Sequence, residues 1–242
     1  MESAPVVQWI EQRSSEPLMW VRFLPGAFKI FMPFFYTEEK INSPINGQLT
    51  WRKFLFGRWL LKIPEGEYYS STYLEEMWKF VLKKIRKNKL GKVLVLGGGA
   101  GCVVNEVIKV WPQSSIVAID YDGSIMEIGQ KIYPYFKTNP QIIFKTAEAQ
   151  DFVRTETAQY DLVLIDLFVG NKLSPLLKSK DFLQDLKKIL LSPAIIIVNA
   201  EAWLSGKDPE IFDNWQREFP QLQVVKFRSN KLFLVKITKK IN

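Results

Sequence analysis

The sequence predicts an α/β fold, in which helices cover both faces of a mostly parallel sheet. From residue 92 onward, short apolar runs typical of buried strands alternate with segments of helical periodicity. A glycine-rich turn joins the first of these runs to the helix that follows it. Two β-like runs around Ser229 and Asn230 predict a C-terminal antiparallel hairpin. Repeated strand–helix units imply a Rossmann-like parallel sheet that binds ligands at the carboxyl ends of its strands.

The glycine turn occupies residues 97–101, between the apolar run 93–96 and a helical pattern over 102–111. Glycine permits positive φ and lets a ligand approach the backbone closely. The start of a helix adds free N–H groups and a partial positive charge. The turn therefore predicts a cofactor site that includes Gly97, Gly98, Gly99 and Gly101.

A second signal is Asp120, which ends the next predicted strand, 116–119. An acid about 20 residues after the glycines can bind both hydroxyls of a ribose. Cys102 stands where the strict dinucleotide fingerprint has its last glycine. This favours a nucleoside cofactor without a pyrophosphate, such as S-adenosylmethionine, over NAD. The alternative explanation is a βαβ unit with an incidental aspartate.

Composition excludes several kinds of chemistry. The 242 residues contain no histidine, which removes histidine catalysis and histidine metal ligation. The single cysteine, Cys102, excludes an intrachain disulfide framework and fits a reducing compartment, so we expect a cytoplasmic protein. We expect Cys102 to be a buried helix residue rather than a nucleophile.

The net charge of +8 is compatible with anionic partners. Part of the excess is concentrated at Lys83, Lys84, Arg86, Lys87, Lys89 and Lys92. We interpret these residues as the solvated end of a helix, where cations are favoured, rather than as a nucleic-acid patch. Charged residues and prolines interrupt the apolar stretch 18–36, so we expect no membrane span. Nucleic acid and membranes are therefore not expected partners.

Residues 4–27 lack the period of a helix or a strand. With permitted codons they can be written as a transfer-RNA gene, with its paired arms nested in the correct order. They resemble a translated arginine tRNA gene, so we interpret residues 1–27 as a non-native or disordered extension. Met32 is then the candidate start, since Met19 lies inside the tRNA-like region. A real N-terminal arm is the alternative, and the genomic DNA over these codons decides.

The rest of the chain divides into a small N-terminal β element, residues 28–69, and a Rossmann-like S-adenosylmethionine-binding domain, residues 70–242. In the first, turn signals at Asn46-Gly47 and Gly57 accompany the predicted strands 48–56 and 58–63. The second opens with a helix over about residues 71–88. Its later predicted helices are 124–133, 147–153, 178–191 and 209–219, and its later strands are 141–144, 160–166, 194–199, 221–227 and 231–237.

Residues 48–237 resemble the spermidine synthase family, within the class I S-adenosylmethionine-dependent methyltransferase fold. The resemblance is carried by Gly97-Gly-Gly-Ala-Gly101, Asp120, Ala147-Glu148-Ala149 and Tyr160-Asp-Leu-Val-Leu-Ile-Asp166. It implies that Asp120 holds the ribose hydroxyls and that Glu148 accepts from the adenine amino group. Tyr121 and Ala149 complete the implied cofactor site. Asp166 is the implied catalytic residue, acting on the substrate amine.

The chain departs from the family pattern at three places. Ala100 replaces an aspartate that would meet the amino end of the cofactor. The family's Asp-Ser-Thr-Asp-Pro becomes Asp166-Leu-Phe-Val-Gly170, so the second acid is lost. The family's Tyr-His-Glu has no histidine here, although Tyr73, Glu75 and Glu76 are close by in sequence. Asp166-x-Phe-x-Gly170, followed by Pro175, instead resembles a divergent spermidine-synthase-like branch. Cofactor binding is therefore better supported than aminopropyl transfer.

The resulting hypothesis is a transferase that uses S-adenosylmethionine or its decarboxylated form as a substrate, without a metal. The expected partner is a small-molecule acceptor, with a polyamine as the candidate, and a homodimer is also expected. Carboxylates that could line a polyamine cleft beside Asp166 are Glu65, Glu67, Glu75, Glu76 and Glu201. Two alternatives stay open: a small-molecule methyltransferase, and a non-catalytic nucleoside-binding protein of the same fold. For Asp166 itself, the alternative is a structural cap of the loop 168–170.

Overall fold

The computed structural model describes residues 36–54, 57–64, 68–85, 89–170, 172–201 and 208–238. The tRNA-like segment 4–27 and the boundary placed at residue 28 lie outside these residues. Within the described ranges, no helix has both the length and the apolarity needed to span a bilayer.

The N-terminal part is an antiparallel sheet of four strands in the order β1-β2-β3-β4. The strands are β1 (Tyr36–Ser43), β2 (Gly47–Phe54), β3 (Trp59–Lys62) and β4 (Tyr68–Ser71). Both predicted turn glycines have positive φ, +67° at Gly47 and +73° at Gly57. The sequence pattern does not predict β1, because most of its side chains are polar and exposed. This strand is held by pairing along its full length with β2.

The remaining helices and strands form one α/β unit. Its helices are α1 (Thr72–Lys84), α2 (Cys102–Val110), α3 (Gly123–Ile132), α4 (Ala149–Thr155), α5 (Lys180–Lys188) and α6 (Pro209–Glu218). Its strands are β5 (Lys92–Leu96), β6 (Ser115–Asp120), β7 (Ile142–Thr146), β8 (Tyr160–Ile165), β9 (Phe168–Val169), β10 (Lys172–Leu173), β11 (Leu190–Glu201), β12 (Gln223–Phe227) and β13 (Asn230–Ile237). Short 3₁₀ helices occupy Pro134–Lys137 and Pro175–Lys178.

The central sheet has seven strands in the order β12-β13-β11-β8-β5-β6-β7. Strands β11, β8, β5, β6 and β7 run parallel to one another, and β13 lies antiparallel between β11 and β12. The predicted fold class, a mostly parallel sheet with a C-terminal antiparallel hairpin, is therefore confirmed. Leu96, Asp120 and Ile165 are the last residues of β5, β6 and β8. Because these strands are parallel, their carboxyl ends lie at the same edge of the sheet.

Hydrophobic burial explains why β5 and β8 occupy the middle of the sheet. Residues 93–96 and 162–165 are fully buried, so both faces of each strand are covered. Helix α1 covers part of one face with an apolar stripe that includes Met77, Trp78, Val81 and Leu82.

Several elements differ from the prediction. Helix α1 ends at Lys84, and Lys92 begins β5, so the basic cluster is not one continuous helix end. The helix predicted over residues 178–191 is shorter at both ends. The Ser179 hydroxyl accepts from the Phe182 N–H and starts α5 at Lys180, after a 3₁₀ turn. Residues 190 and 191 already belong to β11. The hairpin β9–β10 was not predicted, since two-residue strands show no periodicity.

Candidate functional site

The glycine turn is wedged between the ends of β6 and β8. The N–H groups of Gly97 and Gly98 both donate to the Ile119 carbonyl, at 2.9 and 2.8 Å. Gly97 has φ +80°, and a Cβ there would lie 2.2 Å from the Asp166 carbonyl oxygen. A side chain at this position would therefore be strained and would also clash with backbone. The close fit ties the glycines directly to the strand end that carries Asp166.

The second half of the turn leads into α2. Gly99 and Gly101 have φ of +50° and +85°, and a Cβ at Gly101 would meet the Phe136 ring at 2.4 Å. Helix α2 begins at Cys102, so the predicted strand, glycine turn and helix are confirmed. Burial and nearby Glu75 raise the pKa of the Cys102 thiol to about 12. Cys102 is thus a buried neutral thiol, as expected, and not a nucleophile.

Asp120 is buried at the end of β6 and faces the glycine turn. One carboxylate oxygen accepts from the Gly99 N–H at 2.8 Å, and the other accepts from the Asp122 N–H at 3.0 Å. A carboxylate can accept about four hydrogen bonds, so holding the turn and binding ribose hydroxyls are compatible roles. The structure brings Asp120 to the glycines, while its ribose role stays a prediction.

The loop after Asp120 is docked against the turn between β1 and β2. Ser43 and Asn46 both donate to the Asp122 carboxylate, and the Tyr121 hydroxyl donates to the Asn46 side chain at 3.1 Å. Burial disfavours the charge of Asp122, but hydrogen bonds from Ser124, Ser43 and Asn46 outweigh it and lower the pKa. The N-terminal sheet therefore contacts the predicted cofactor residue Tyr121. No local sequence pattern indicates this contact, because Asn46 and Tyr121 are 75 positions apart in the chain.

Glu148 and Ala149 follow the next strand end at the same edge of the sheet. The Ala147 N–H donates to the Asp120 carbonyl at 3.0 Å, which fixes this segment beside Asp120. Glu148 is exposed and precedes α4 without capping it through its side chain, whereas Ala149 is buried. The predicted cofactor residues are thus gathered at three adjacent strand ends. The adenine contact of Glu148 stays a prediction.

Asp166 directly follows β8, and its N–H donates to the Leu96 carbonyl at 2.9 Å. Its two carboxylate oxygens accept from different side chains: Asn199 Nδ2 at 2.9 Å and Trp78 Nε1 at 3.3 Å. Burial raises the pKa of Asp166 to about 6, with the Asn199 and Trp78 donors opposing the shift and Asp120 adding to it. A carboxylate with a pKa just below neutrality is suited to accept a proton at neutral pH.

The side chain of Asp166 has other partners than the loop 168–170, which the capping alternative expects. Its carboxylate accepts from Trp78 on α1 and Asn199 on β11, and these hydrogen bonds do not involve the backbone of residues 168–170. Sequence reasoning missed both partners, because they are 88 and 33 residues away from Asp166 in the chain.

The other proposed carboxylates are differently placed. Glu75 accepts from the Tyr133 hydroxyl and from Asn105, and Glu76 pairs with Arg228 at 2.9 Å. The structure therefore gives Glu75 and Glu76 partners of their own, and the charges of Glu75 and Asp166 both act on the Cys102 thiol. Glu65, Glu67 and the side chain of Glu201 lie outside the described residues.

Glu75 instead lines a cavity of about 360 Å³ between the N-terminal sheet and helices α1 to α3. Its described lining residues are Trp51, Lys53, Gly57, Trp59, Glu75, Asn105, Lys109, Lys131, Ile132 and Tyr133. None of these belongs to the glycine turn or to the strand ends that carry Asp120 and Asp166. Within the part of the chain that the structure describes, no cluster of three or more acidic or cysteine side chains is arranged to hold a metal ion.

The sheet order and the glycine turn, with acids at neighbouring strand ends, define a class I methyltransferase-like fold. Residues 70–229 match the family model described as the spermine/spermidine synthase domain. The chain therefore belongs to the spermine/spermidine synthase domain family, and the family resemblance seen in the sequence is confirmed.

Individual relatives are similar in sequence, and solved structures are similar in fold. A polyamine aminopropyltransferase of Vibrio vulnificus is 22% identical over 152 residues, which cover 61% of this chain and 50% of the relative. The chain spans about half the length of the curated relatives that it matches. Among solved structures, a probable spermidine synthase from Corynebacterium glutamicum superposes with a TM-score of 0.68, at 14% identity, over 85% of this chain and 82% of its own. A spermidine synthase in complex with the transition state analogue AdoDATO gives a TM-score of 0.66, at 18% identity, over 82% of this chain and 72% of its own.

Proposed function

We propose that this protein is a transferase that moves the aminopropyl group of decarboxylated S-adenosylmethionine to an amine, with a polyamine as the acceptor. The observation that carries the proposal is the placement of Asp120 and Asp166. Asp120 ends β6 and Asp166 directly follows β8, and these two strands flank β5. The glycine turn at the end of β5 contacts both residues. Membership of the spermine/spermidine synthase domain family supports the same chemistry.

The residues proposed to bind the donor surround the turn. Asp120 accepts from the ribose hydroxyls, and Glu148 accepts from the adenine amino group. The turn glycines let the nucleoside approach the backbone, since a side chain at Gly97 or Gly101 would collide with its neighbours. Tyr121 and Ala149 flank the same edge of the sheet and complete the donor site.

Asp166 is proposed to act as the base for the acceptor. In the reaction, the amine nitrogen forms a bond to carbon while the carbon–sulfur bond of the sulfonium breaks and leaves its electron pair on sulfur. The attacking nitrogen must then lose a proton, and Asp166 takes it. Because burial raises the pKa of Asp166 to about 6, most Asp166 side chains are ionised at neutral pH and can accept that proton.

Methyl transfer from S-adenosylmethionine is the second candidate, and Ala100 is the observation that favours it. Ala100 is fully buried in the turn, at the position where the family resemblance implies an aspartate facing the amino end of the donor. An alanine there does not repel the donor's carboxylate, which is the group that distinguishes S-adenosylmethionine from its decarboxylated form. Both donors must therefore be tested.

The test is a calorimetric titration of the purified chain with each donor, followed by a product assay with a diamine acceptor. Tighter binding of the decarboxylated donor and a propylated amine product support aminopropyl transfer. Preference for S-adenosylmethionine, with methylated product, supports the second candidate. Absence of binding to either donor contradicts both and favours a non-catalytic protein of the same fold. Asp161→Asn, at the opposite end of β8, is the control for a general effect of losing a carboxylate.

A further inference from the structure

A chain of polar side chains connects Asp166 to helix α1. Asn199 Nδ2 donates to Asp166 at 2.9 Å, and Asn230 Nδ2 donates to Asn199 Oδ1 at 3.1 Å. The Tyr73 hydroxyl then donates to Asn230 Oδ1 at 2.7 Å. Asn199 and Asn230 are only 1% and 3% exposed, so water does not replace these partners readily.

The fold explains how four distant residues come together. Asn199 lies near the carboxyl end of β11, and Asn230 begins the antiparallel strand β13 at the same edge of the sheet. Tyr73 is in the first turn of α1, and its ring lies 5.7 Å from the Phe227 ring. The terminal hairpin is therefore packed against α1 where the polar chain ends.

The direction of this chain is set at its Asp166 end, because an ionised carboxylate can only accept, whereas a tyrosine hydroxyl can donate or accept. A side-chain amide has one acceptor end and one donor end. Because Asp166 accepts, the Asn199 nitrogen faces it and Asn199 Oδ1 faces the Asn230 nitrogen. Asn230 Oδ1 is then left to accept from the Tyr73 hydroxyl. In the reverse direction, the carbonyl oxygen of Asn199 would face an ionised carboxylate, which is repulsive.

We propose that Asn199 is a positioning residue for Asp166, and that Asn230 and Tyr73 hold its amide with the nitrogen toward the carboxylate. A hydrogen bond donated to a carboxylate favours its ionised form and fixes its orientation. Hydrogen bonds in a chain also polarise one another, so the Tyr73 donor strengthens the donor at Asn199. The catalytic part of this inference rests on the proposed function, in which ionised Asp166 takes the proton of the acceptor amine.

The other groups around Asp166 also affect whether its carboxyl group is ionised. Asp120 at the end of β6 faces it and favours its neutral form. The Cys102 thiol at the start of α2 is neutral, since burial raises its pKa to about 12. Helix α1 contributes Trp78 Nε1, which donates to the other carboxylate oxygen at 3.3 Å. Asn199 supplies the shorter of the two side-chain hydrogen bonds that oppose Asp120 and burial.

The experiment is a pH titration of the Asp166 carboxyl carbon by ¹³C NMR in the ligand-free protein, with Asp166→Asn used to assign the signal. Asn199→Leu keeps the side-chain size and removes the donor, so the midpoint should rise by about 1 pH unit or more. Tyr73→Phe keeps the ring and should move the midpoint in the same direction by about 0.5 unit. The control is Tyr160→Phe, which removes a hydroxyl that donates to Glu156 at the opposite end of β8, and should leave the midpoint unchanged.

An unchanged midpoint in Asn199→Leu overturns the positioning role of Asn199. An unchanged midpoint in Tyr73→Phe overturns the proposal that Tyr73 acts on Asp166 through Asn230 and Asn199. Circular dichroism melting checks that each variant is folded. If Asn199→Leu does not fold, the Tyr73→Phe titration alone tests the proposal. The second readout is the acidic limb of the pH–rate profile for transfer, which should shift by the same amount as the carboxyl midpoint. Because the NMR titration needs no activity, a protein that shows the midpoint shifts without transfer contradicts the proposed function and not this inference.

Discussion

The backbone N–H of Gly99 and the carboxylate of Asp120 are joined by a 2.8 Å hydrogen bond between the glycine turn and the end of β6. The other oxygen of Asp120 accepts from the Asp122 N–H, so one buried side chain holds two loops in place. The residue proposed to bind the ribose thus also shapes the turn beside it. A site arranged in this way loses little conformational freedom when its ligand binds.

Asp120→Ala is expected to weaken donor binding by about 1.5–3 kcal/mol, the scale of hydrogen bonds to a charged group. Calorimetric titration with the preferred donor measures this loss. Asp120→Asn is the matched variant, since it keeps one acceptor oxygen for the Gly99 N–H, and its loss should be smaller. Unchanged affinity in the alanine variant would remove Asp120 from the donor site.

A matched pair of glycine substitutions separates backbone strain from steric collision. Gly57 and Gly97 have similar φ of +73° and +80°, but only at Gly97 would a Cβ meet the backbone of Asp166, at 2.2 Å. Gly57→Ala is expected to cost about 1 kcal/mol, because the left-handed conformation alone disfavours a side chain. Gly97→Ala should cost at least about 2 kcal/mol more, since the strand ends must also move apart. Urea unfolding measures both, and equal losses would show that the turn is not wedged against Asp166.

Local sequence patterns were sufficient to predict the sheet and the glycine turn. Residues 93–96 and 162–165 are continuous apolar runs, and buried parallel strands need such runs on both faces. Gly97, Gly99 and Gly101 have the positive φ that glycine favours. Asp120 and Asp166 could be placed at one edge because parallel strands end together.

The side-chain hydrogen-bond partners of the acids at the strand ends could not be predicted from local sequence patterns. Trp78 had the spacing of a core residue on α1, and it is fully buried, yet its indole N–H also donates to Asp166. Asn199 ends an apolar run in which nothing distinguishes it from a simple strand terminus. Such contacts depend on how α1 and β13 pack at the sheet edge, which periodicity does not specify. The same holds for Ser43, whose contact with Asp122 joins two separate sheets.

The raised pKa of Asp166 predicts a pH dependence of stability. Its folded pKa of about 6 exceeds the ordinary 3.8, so the folded state binds the proton more tightly than the unfolded state. The contribution of this group to folding is therefore fully present below about pH 4 and is lost as the pH rises through about 6. Over the full titration the loss is about 3 kcal/mol.

Urea unfolding of the native chain and Asp166→Asn between pH 4 and pH 7.5 tests this dependence. As the pH rises across that range, the free energy of unfolding of the native chain should fall by about 2 kcal/mol relative to that of Asp166→Asn. The reason is that the variant does not titrate at this position. Asp213→Asn on the exposed face of α6 is the control for removing one negative charge. A difference that stays constant with pH would mean that burial does not perturb Asp166.

The same substitution separates binding from chemistry. Asp166→Asn should leave donor affinity nearly intact, because the proposed donor contacts lie at Asp120, Glu148 and the glycine turn. Turnover should fall about 100-fold or more, the usual scale for loss of a general base, since an amide cannot take the proton of the acceptor amine. Single-turnover rates at saturating donor, together with calorimetric affinities, measure the two effects separately.

The matched control for this experiment is Asp161→Asn. Asp161 lies at the opposite end of β8 and accepts from the backbone N–H groups of Gly91 and Lys92, at 3.0 and 2.8 Å. Its substitution is expected to lower stability without a comparable loss of turnover. If Asp166→Asn retained full turnover, the carboxylate would serve only to hold Trp78 and Asn199, and the base would have to be sought elsewhere. A parallel fall in both variants would point instead to general damage to β8.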